Sequence, residues 1–317
     1  MSTTHRLKKH SNKFPMILKK DSSNFNPRKK INILSQIGSK YRKSLRNTEP
    51  FIFIFAPNNS GTTVLSQLLA ENLQSAYLPP FGNNEGQWIP EVREMMRNNP
   101  WNTKNDFNWV NIKACWLKYL NQSHKDLFIE ASPPNMMKVD KILKEFNPTR
   151  CIFYISNPYL QIASCIHRYS KNMTIETAIE HYTALWTMKA KVLQSNCQTH
   201  PKIPLITYEN LCSNSRRTLE RITSGLDKKQ SYASNIPGKK NSNVNKIINM
   251  QPRHMAFLGR DGIEKISNLL KSEQEVLTYF GYYLITMKQA NKMLQENPLL
   301  SNEGLAQRLK WDAVNSD

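Results

Sequence analysis

From Phe51 onward the chain alternates short apolar runs with longer amphipathic stretches. Residues 51–56, FIFIFA, form a continuous run of aromatic and β-branched side chains, the pattern of a strand buried on both faces. The run passes through the small-residue loop PNNSG into residues 62 to about 72, where Val64, Leu65, Leu68, Leu69 and Leu73 recur at helical spacing. Residues 77–86, rich in Pro, Gly and Asn, read as loop. Helices are predicted over 87–97 and 106–123, a strand over 126–130 (DLFIE), a helix over about 135–146 and a strand over 151–156 (CIFYIS). Asn157 and Pro158 supply the cap and first-turn residue of the next helix. A helix over 174–196, a strand over 203–207 and a helix over 210–225 follow. Residues 227–249 read as a polar loop, helices near 260–271 and 273–280 close the domain, and 285–312 is a polar helical stretch.

Strands that alternate with helices predict a parallel sheet covered on both faces, joined by right-handed crossovers. The expectation is a three-layer α/β/α fold, P-loop-like, with one domain over 49–284 and a helical C-terminal extension over 285–317. Ligands of such sheets sit at the carboxyl ends of the strands.

Charge changes the picture at the N-terminus. The 317-residue chain carries a formal net charge of +20. Residues 1–48 hold thirteen Lys or Arg against the single acid Asp21, so roughly +12 of that charge lies there. Without sustained apolar periodicity this segment reads as a basic, disordered arm. Its aromatics (Phe14, Phe25, Tyr41) are too sparse for a base-stacking platform. The reading leaves open a solvated tail or an anionic partner, either nucleic acid or a membrane surface. No apolar stretch approaches the ~18–20 residues that span a bilayer. No secretory-signal pattern opens the chain, and the five cysteines (Cys115, Cys151, Cys165, Cys197, Cys212) lack metal-type spacing. Reduced thiols and a cytoplasmic location are the expectation, with no metal.

The strongest chemical signal is FIFIFAPNNSGTTVL. A buried strand turns through small residues into a helix, so unpaired backbone N–H groups near Ser60, Gly61, Thr62 and Thr63 converge where the helix dipole adds positive charge. That is an anion site, with the hydroxyls of Ser60, Thr62 and Thr63 as extra donors. A nucleotide-hydrolysing P-loop needs Lys in GxxxxGK[ST]. Here Ala56 takes the place of the first Gly and Thr62 that of the Lys, which argues against ATP or GTP hydrolysis.

PxxSGTTxL after a buried strand resembles the 5′-phosphosulfate loop of the sulfotransferases. A second segment, RCIFYISNPYLQIASCIHRYS at 150–170, is similar to the family's 3′-phosphate segment, in which a basic residue ends a strand and a Ser follows eight residues later. Ser156 and Ser164 have that spacing, and Asn157, Gln161, Ser164 and Arg168 form one polar stripe on the helix. LITYENL at 205–211 resembles the family's YEDL segment, which would place Tyr208 near the adenine, and LLKSEQEVLTYFGYYL at 269–284 resembles its C-terminal FGY segment. The resemblance spans about residues 51–284. It implies 3′-phosphoadenosine 5′-phosphosulfate (PAPS) as donor and a hydroxyl or amine acceptor on a carbohydrate, peptide or lipid.

Sulfuryl transfer needs a positioned acceptor, a base and stabilisation of the leaving phosphate. NNEGQWIP at 83–90 is similar to the tyrosylprotein sulfotransferase stretch whose Glu is the base, which makes Glu85 the candidate; Glu130, ending a strand in FIEASPPN, is the runner-up. The family's basic residues are replaced by Asn59, Ala131 and Ser156. Arg168, Lys138, Lys239 and Lys240 are the available compensating cations, residues 238–240 fitting the family's late basic loop loosely. The leading expectation is therefore a PAPS-dependent sulfotransferase. A catalytically degenerate nucleotide- or partner-binding protein of the same fold is the alternative, and an adaptor acting through the basic arm a third. The aromatic region holding Trp88, Trp101, Trp109 and Trp116 reads as core rather than acceptor cleft.

Overall fold

The alternation in FIFIF decides where the core sits, because successive strand residues point to opposite faces. A computed structural model describes residues 48–104, 106–226 and 247–315. The arm up to residue 47 and the segment 227–246, with Lys239 and Lys240, lie outside the described residues. Strand β1 (Glu49–Phe55) sends Phe51, Phe53 and Phe55 to one face and Ile52 and Ile54 to the other, and all five are buried. Two apolar layers result, one on each side of the sheet.

The elements after β1 are α1 (Thr62–Asn72), β2 (Ala76–Tyr77), α2 (Pro90–Met96), α3 (Trp109–Gln122) and β3 (Leu127–Glu130). Then come α4 (Val139–Phe146), β4 (Pro148–Ile155), α5 (Pro158–Tyr169), α6 (Ile175–Thr199) and β5 (Leu205–Thr207). Helices α7 (Tyr208–Ser213), α8 (Ser215–Thr223), α9 (Gln251–Leu269), α10 (Gln274–Tyr279), α11 (Met287–Glu296) and α12 (Pro298–Asn315) complete the described chain.

The sheet has the order β2-β3-β1-β4-β5 and every pairing is parallel. The chain leaves central β1 for one edge, returns to β3, and then crosses to β4 on the other side. This reversal puts the crevice for a ligand at the carboxyl end of β1. Leu65, Leu68 and Leu69 of α1 cover the Ile face together with Leu211 and Leu219. The Phe face is covered by α3, α4, α5, α6 and α9, with Trp116 stacked on Phe128 at 5.5 Å and Phe146 edge-on to Phe51 at 5.1 Å. Each fully buried Phe is worth roughly 1.5–3 kcal/mol in removal from water. The three-layer α/β/α architecture stands as expected.

Boundaries differ for local reasons. The edge strand β2 is two residues long and carries no periodicity to read. The helix expected over 87–97 starts at Pro90, after a short 3-10 turn over Gly86–Trp88, since Pro favours the first helical position. That expected over 135–146 likewise begins as a 3-10 turn over Pro133–Lys138. The stretch 210–225 is broken at Asn214, whose side chain accepts from the Arg217 N–H at 3.0 Å and starts α8. Helix α9 begins at Gln251, ahead of the expected residue 260, and kinks at Gly259 (φ 68, ψ −178).

Residues beyond 285 pack closely on the sheet-bearing unit. Trp311 of α12 is buried and donates its indole N–H to Ser170 Oγ at 3.1 Å. Arg308 reaches the carbonyls of Phe257 and Leu258 at 3.3 and 3.4 Å. Among the described residues no helix is long and apolar enough to cross a membrane.

Candidate active site

The loop after β1 has to reverse direction within a few residues, and two left-handed residues do this: Asn59 at φ 60 and Gly61 at φ 90. Asn tolerates that region better than most residues and Gly adopts it freely. Ser60, fully buried, closes the loop by donating from Oγ to the Pro57 carbonyl at 2.6 Å. Helix α1 then starts with Gly61 as N-cap, with no side-chain cap and no acid in its first turn. Its Val64 and Leu65 amides turn back to the Gly61 carbonyl at 3.1 and 3.3 Å, and an outside acceptor would meet the Thr62 and Thr63 amides ahead of them.

The surroundings are shaped for one. The Tyr208 ring lies so near Gly61 that a Cβ there would come within 2.8 Å of Cδ2. Tyr208 is fixed by donating to the Ile248 carbonyl at 3.1 Å and accepting from the Met250 N–H at 3.3 Å. The Tyr154 hydroxyl lies 3.6 Å from the same Cβ position; it is fully buried and has no hydrogen-bond partner among the described residues. A buried hydroxyl without a partner costs stability unless a ligand or water satisfies it.

The loop is gripped from the other side by α5 and α6. Gln161 Nε2 donates to the Asn58 carbonyl at 2.9 Å, and Asn59 Nδ2 donates to Cys165 Sγ at 3.1 Å. Lys189 of α6 donates to Asn58 Oδ1, and its ammonium stands 3.8 Å from the Trp101 ring centroid. Lys189 is 7% exposed, and burial holds its pKa down to about 8. Sequence reasoning missed Lys189, yet a signal was there. Tyr182, Trp186, Lys189 and Leu193 share one buried stripe of α6, so a lysine interrupts an apolar face.

Ser156 directly follows β4 and is fully buried, with Oγ 3.5 Å from Gln161 Oε1. It faces the protein, whereas half-buried Ser164 opens on a groove of about 360 Å³ between α5 and α9. Arg168, Arg253, His167, His254 and Gln307 also line this groove. Burial holds the pKa of His254 down to about 4, and burial with the nearby Arg253 and Arg168 lowers that of His167. Both rings are neutral near pH 7, and the arginines set the positive sign. Arg253 Nε is buried with no hydrogen-bond partner among the described residues, and its Nη1 is 3.9 Å from Glu303.

The two candidate carboxylates are tied together. Glu130, fully buried where β3 ends, accepts from the Ser132 N–H at 2.8 Å, Asn135 Nδ2 at 2.9 Å and the Gly86 N–H at 2.7 Å. Burial pushes its pKa up to about 7. Glu85, next in sequence to Gly86, is 6% exposed and accepts from Gln87 Nε2 and from Trp88 Nε1 at 3.0 Å. Burial raises its pKa; these two hydrogen bonds and the charge of Arg168 oppose the rise. Both Glu130 oxygens accept from the protein, and the bond from the Gly86 N–H ties the turn that carries Glu85 to the end of β3.

The structure thus gathers Asn59, Ser60, Gly61, Thr62, Thr63 and Tyr208 at the carboxyl end of β1, places Glu130 on the adjacent strand and hangs Glu85 from it. Ser156 and Ser164 stand apart, one inward and one on the groove. Of the expected compensating cations, Arg168 faces the groove, while Lys138 donates to the Asn102 carbonyl. Trp109 and Trp116 are core as expected, whereas Trp88 is 41% exposed and Trp101 covers Lys189. Among the described residues no group of three His, Cys, Asp or Glu side chains is placed to hold a metal ion.

No curated protein matches the chain. Among solved structures, it is similar to the sulfotransferase domain of the Synechococcus PCC 7002 olefin synthase at 17% identity, covering 57% of this chain and 74% of that one with a TM-score of 0.37. It is similar to retinol dehydratase in complex with androsterone and the inactive cofactor PAP at 15% identity, covering 89% and 84% with a TM-score of 0.29. The model of the sulfotransferase family matches residues 50–230, over half of the chain and the same stretch that carries β1, the anion loop, both carboxylates and the groove serine, and the chain belongs to that family.

Proposed function

We propose that the protein transfers a sulfuryl group from PAPS to a hydroxyl or amine acceptor. The observation that carries this reading is the start of α1 at Gly61 without a side-chain cap, beside the buried Tyr154 hydroxyl that has no hydrogen-bond partner among the described residues. The site fits the donor. Amides of residues 60–63 would hold the 5′-phosphosulfate, Tyr208 would flank the nucleoside, and Ser164 with Arg168 and Arg253 would take the 3′-phosphate. Bound there, the donor supplies an activated sulfuryl group on a phosphate leaving group.

The protein's own part is positioning and proton handling. Glu85, ionised, takes the acceptor's proton; Glu130 fixes the turn that carries it; the α1 amides stabilise charge on the departing phosphate. Burial raises the Glu85 pKa, so activity should rise with pH through that pKa, and Glu85→Gln should lower kcat by roughly 10²–10⁴-fold. With no span among the described residues, action in the cytoplasm is part of the proposal.

A second reading keeps nucleotide binding without transfer. It is favoured by Ser156, which replaces the family's basic residue and faces Gln161 instead of a ligand. Calorimetric titration of adenosine 3′,5′-bisphosphate into wild type and Gly61→Trp tests the donor site. Micromolar binding lost in the variant supports it, and no binding at millimolar ligand overturns both readings. Transfer of labelled sulfate from PAPS to a panel of sugars, peptides and lipids then separates enzyme from binder.

A further inference from the structure

We infer that Lys189 is the cation of the transfer site, its ammonium taking the negative charge of the 5′-phosphosulfate in place of the basic residue absent at Asn59. The inference rests on the donor reading above and adds to it a residue from a different helix. Family motifs do not point to Lys189, which lies in α6, 130 positions beyond Asn59.

Three observations converge on this ammonium. It is buried, and no carboxylate pairs with it among the described residues. Its described neighbours, Asn58 Oδ1 and the Trp101 ring, are neutral, so they orient the charge without cancelling it. The loop residue it holds directly precedes Asn59 in the anion loop, whose own side chain is spent on Cys165. An ammonium has three donors, and Asn58 uses one. The ammonium is thus held against the loop that leads into α1, with no described carboxylate to balance it.

In the transfer step the bond from sulfur to the bridging phosphate oxygen breaks as the acceptor oxygen or nitrogen bonds to sulfur. The bonding pair stays with the phosphate, and the acceptor's proton goes to Glu85. Lys189 keeps its own proton throughout and donates a hydrogen bond to the phosphate as its charge grows. The titratable group acting on it is Cys165 on α5, whose thiol burial pushes up; Arg168, one turn further along that helix, acts on the same thiol.

The test compares two probes, adenosine 3′,5′-bisphosphate and adenosine 3′-monophosphate, which lacks the 5′-phosphate. Lys189→Met should weaken the bisphosphate about ten- to a hundredfold, the worth of a charged hydrogen bond, and leave the monophosphate within about twofold. Lys189→Arg should restore most of the loss. A second measurement compares wild type with the charge-conserving Lys189→Arg: binding of the bisphosphate at pH 8, in buffers of different ionisation heat. The phosphates are fully ionised there. Net proton uptake is expected as the anion reprotonates the fraction of neutral Lys189, and Lys189→Arg should show none. Bisphosphate affinity unchanged in Lys189→Met, or uptake that persists in Lys189→Arg, overturns the assignment while the donor reading stands. Failure of wild type to bind the bisphosphate removes both.

Discussion

Glu130 accepts the backbone N–H of Gly86 at 2.7 Å, so a carboxylate at the end of β3 holds the turn that presents Glu85. Two effects oppose each other at Glu130. Burial favours the neutral acid, whereas three donors favour the carboxylate, and burial prevails, with the pKa pushed from 4.5 to about 7. Between those values the folded protein holds a proton that the unfolded chain has released. The contribution of Glu130 to stability is therefore greatest at the acid end, falls as pH rises towards 7, and is flat above it. Urea unfolding from pH 5 to 8 of wild type and Glu130→Gln checks this. The stability difference, wild type minus variant, should decrease up to about pH 7 and then level off; a flat difference throughout would mean that the three donors control the titration.

Gly86 has no room for a side chain. A Cβ there would overlap Glu130 Oε2 and lie 2.7 Å from Trp116 Nε1, both in fully buried residues. Gly86→Ala should cost about 1–3 kcal/mol, the usual penalty for overpacking. The strain falls on the Glu85 turn, so under the proposed function sulfuryl transfer, assayed beside the melts, should drop further than the melting temperature alone would suggest. Thermal melts paired with Trp fluorescence, to which the neighbouring Trp116 and Trp88 contribute, make the check.

Much of this was legible because β1 and its loop are governed by local rules. FIFIF buries both faces, Gly61 and Asn59 take the left-handed turn, and Asn157–Pro158 start α5 as capping chemistry requires, with Asn157 Oδ1 accepting from the Tyr159 N–H at 3.0 Å. What could not be read depends on contacts across the fold. Glu130 is paired with Gly86, 44 residues away, and Lys189 with Asn58, 131 away. Spacing motifs have no access to such pairs. The inward turn of Ser156 is of the same kind: the motif set its spacing from Ser164, and packing against Gln161 set its direction.

Asn59 is held at φ 60, where a side chain larger than Gly is strained and Asn is among the best tolerated. Asn59→Gly should hold stability within about 0.5 kcal/mol, having lost only the weak hydrogen bond to Cys165. Asn59→Val should cost about 1–3 kcal/mol, since a β-branched residue is poorly suited to this region. Chemical denaturation of the two variants separates backbone strain from loss of the side-chain contact. Equal costs would show that the Cys165 contact, and not φ, is what Asn59 supplies.

Gly304 couples the last helix to the groove. A Cβ there would overlap the Arg253 carbonyl and come within 2.8 Å of Ala256 Cβ, so α12 lies on α9 only because position 304 is bare. Arg253 belongs to that contact through its backbone and to the groove beside Ser164 through its side chain. Gly304→Ala should push the helices apart, cost about 1–3 kcal/mol and displace Arg253. Affinity for adenosine 3′,5′-bisphosphate should then fall, whereas that for adenosine 5′-monophosphate, which has no group for the Ser164 groove, should hold. Leu305→Ser, next to it on an exposed face, should change neither stability by more than about 0.5 kcal/mol nor binding. Equal weakening of both nucleotides in Gly304→Ala would mean a general loss of the fold; selective loss of the bisphosphate would tie the C-terminal helix to 3′-phosphate recognition.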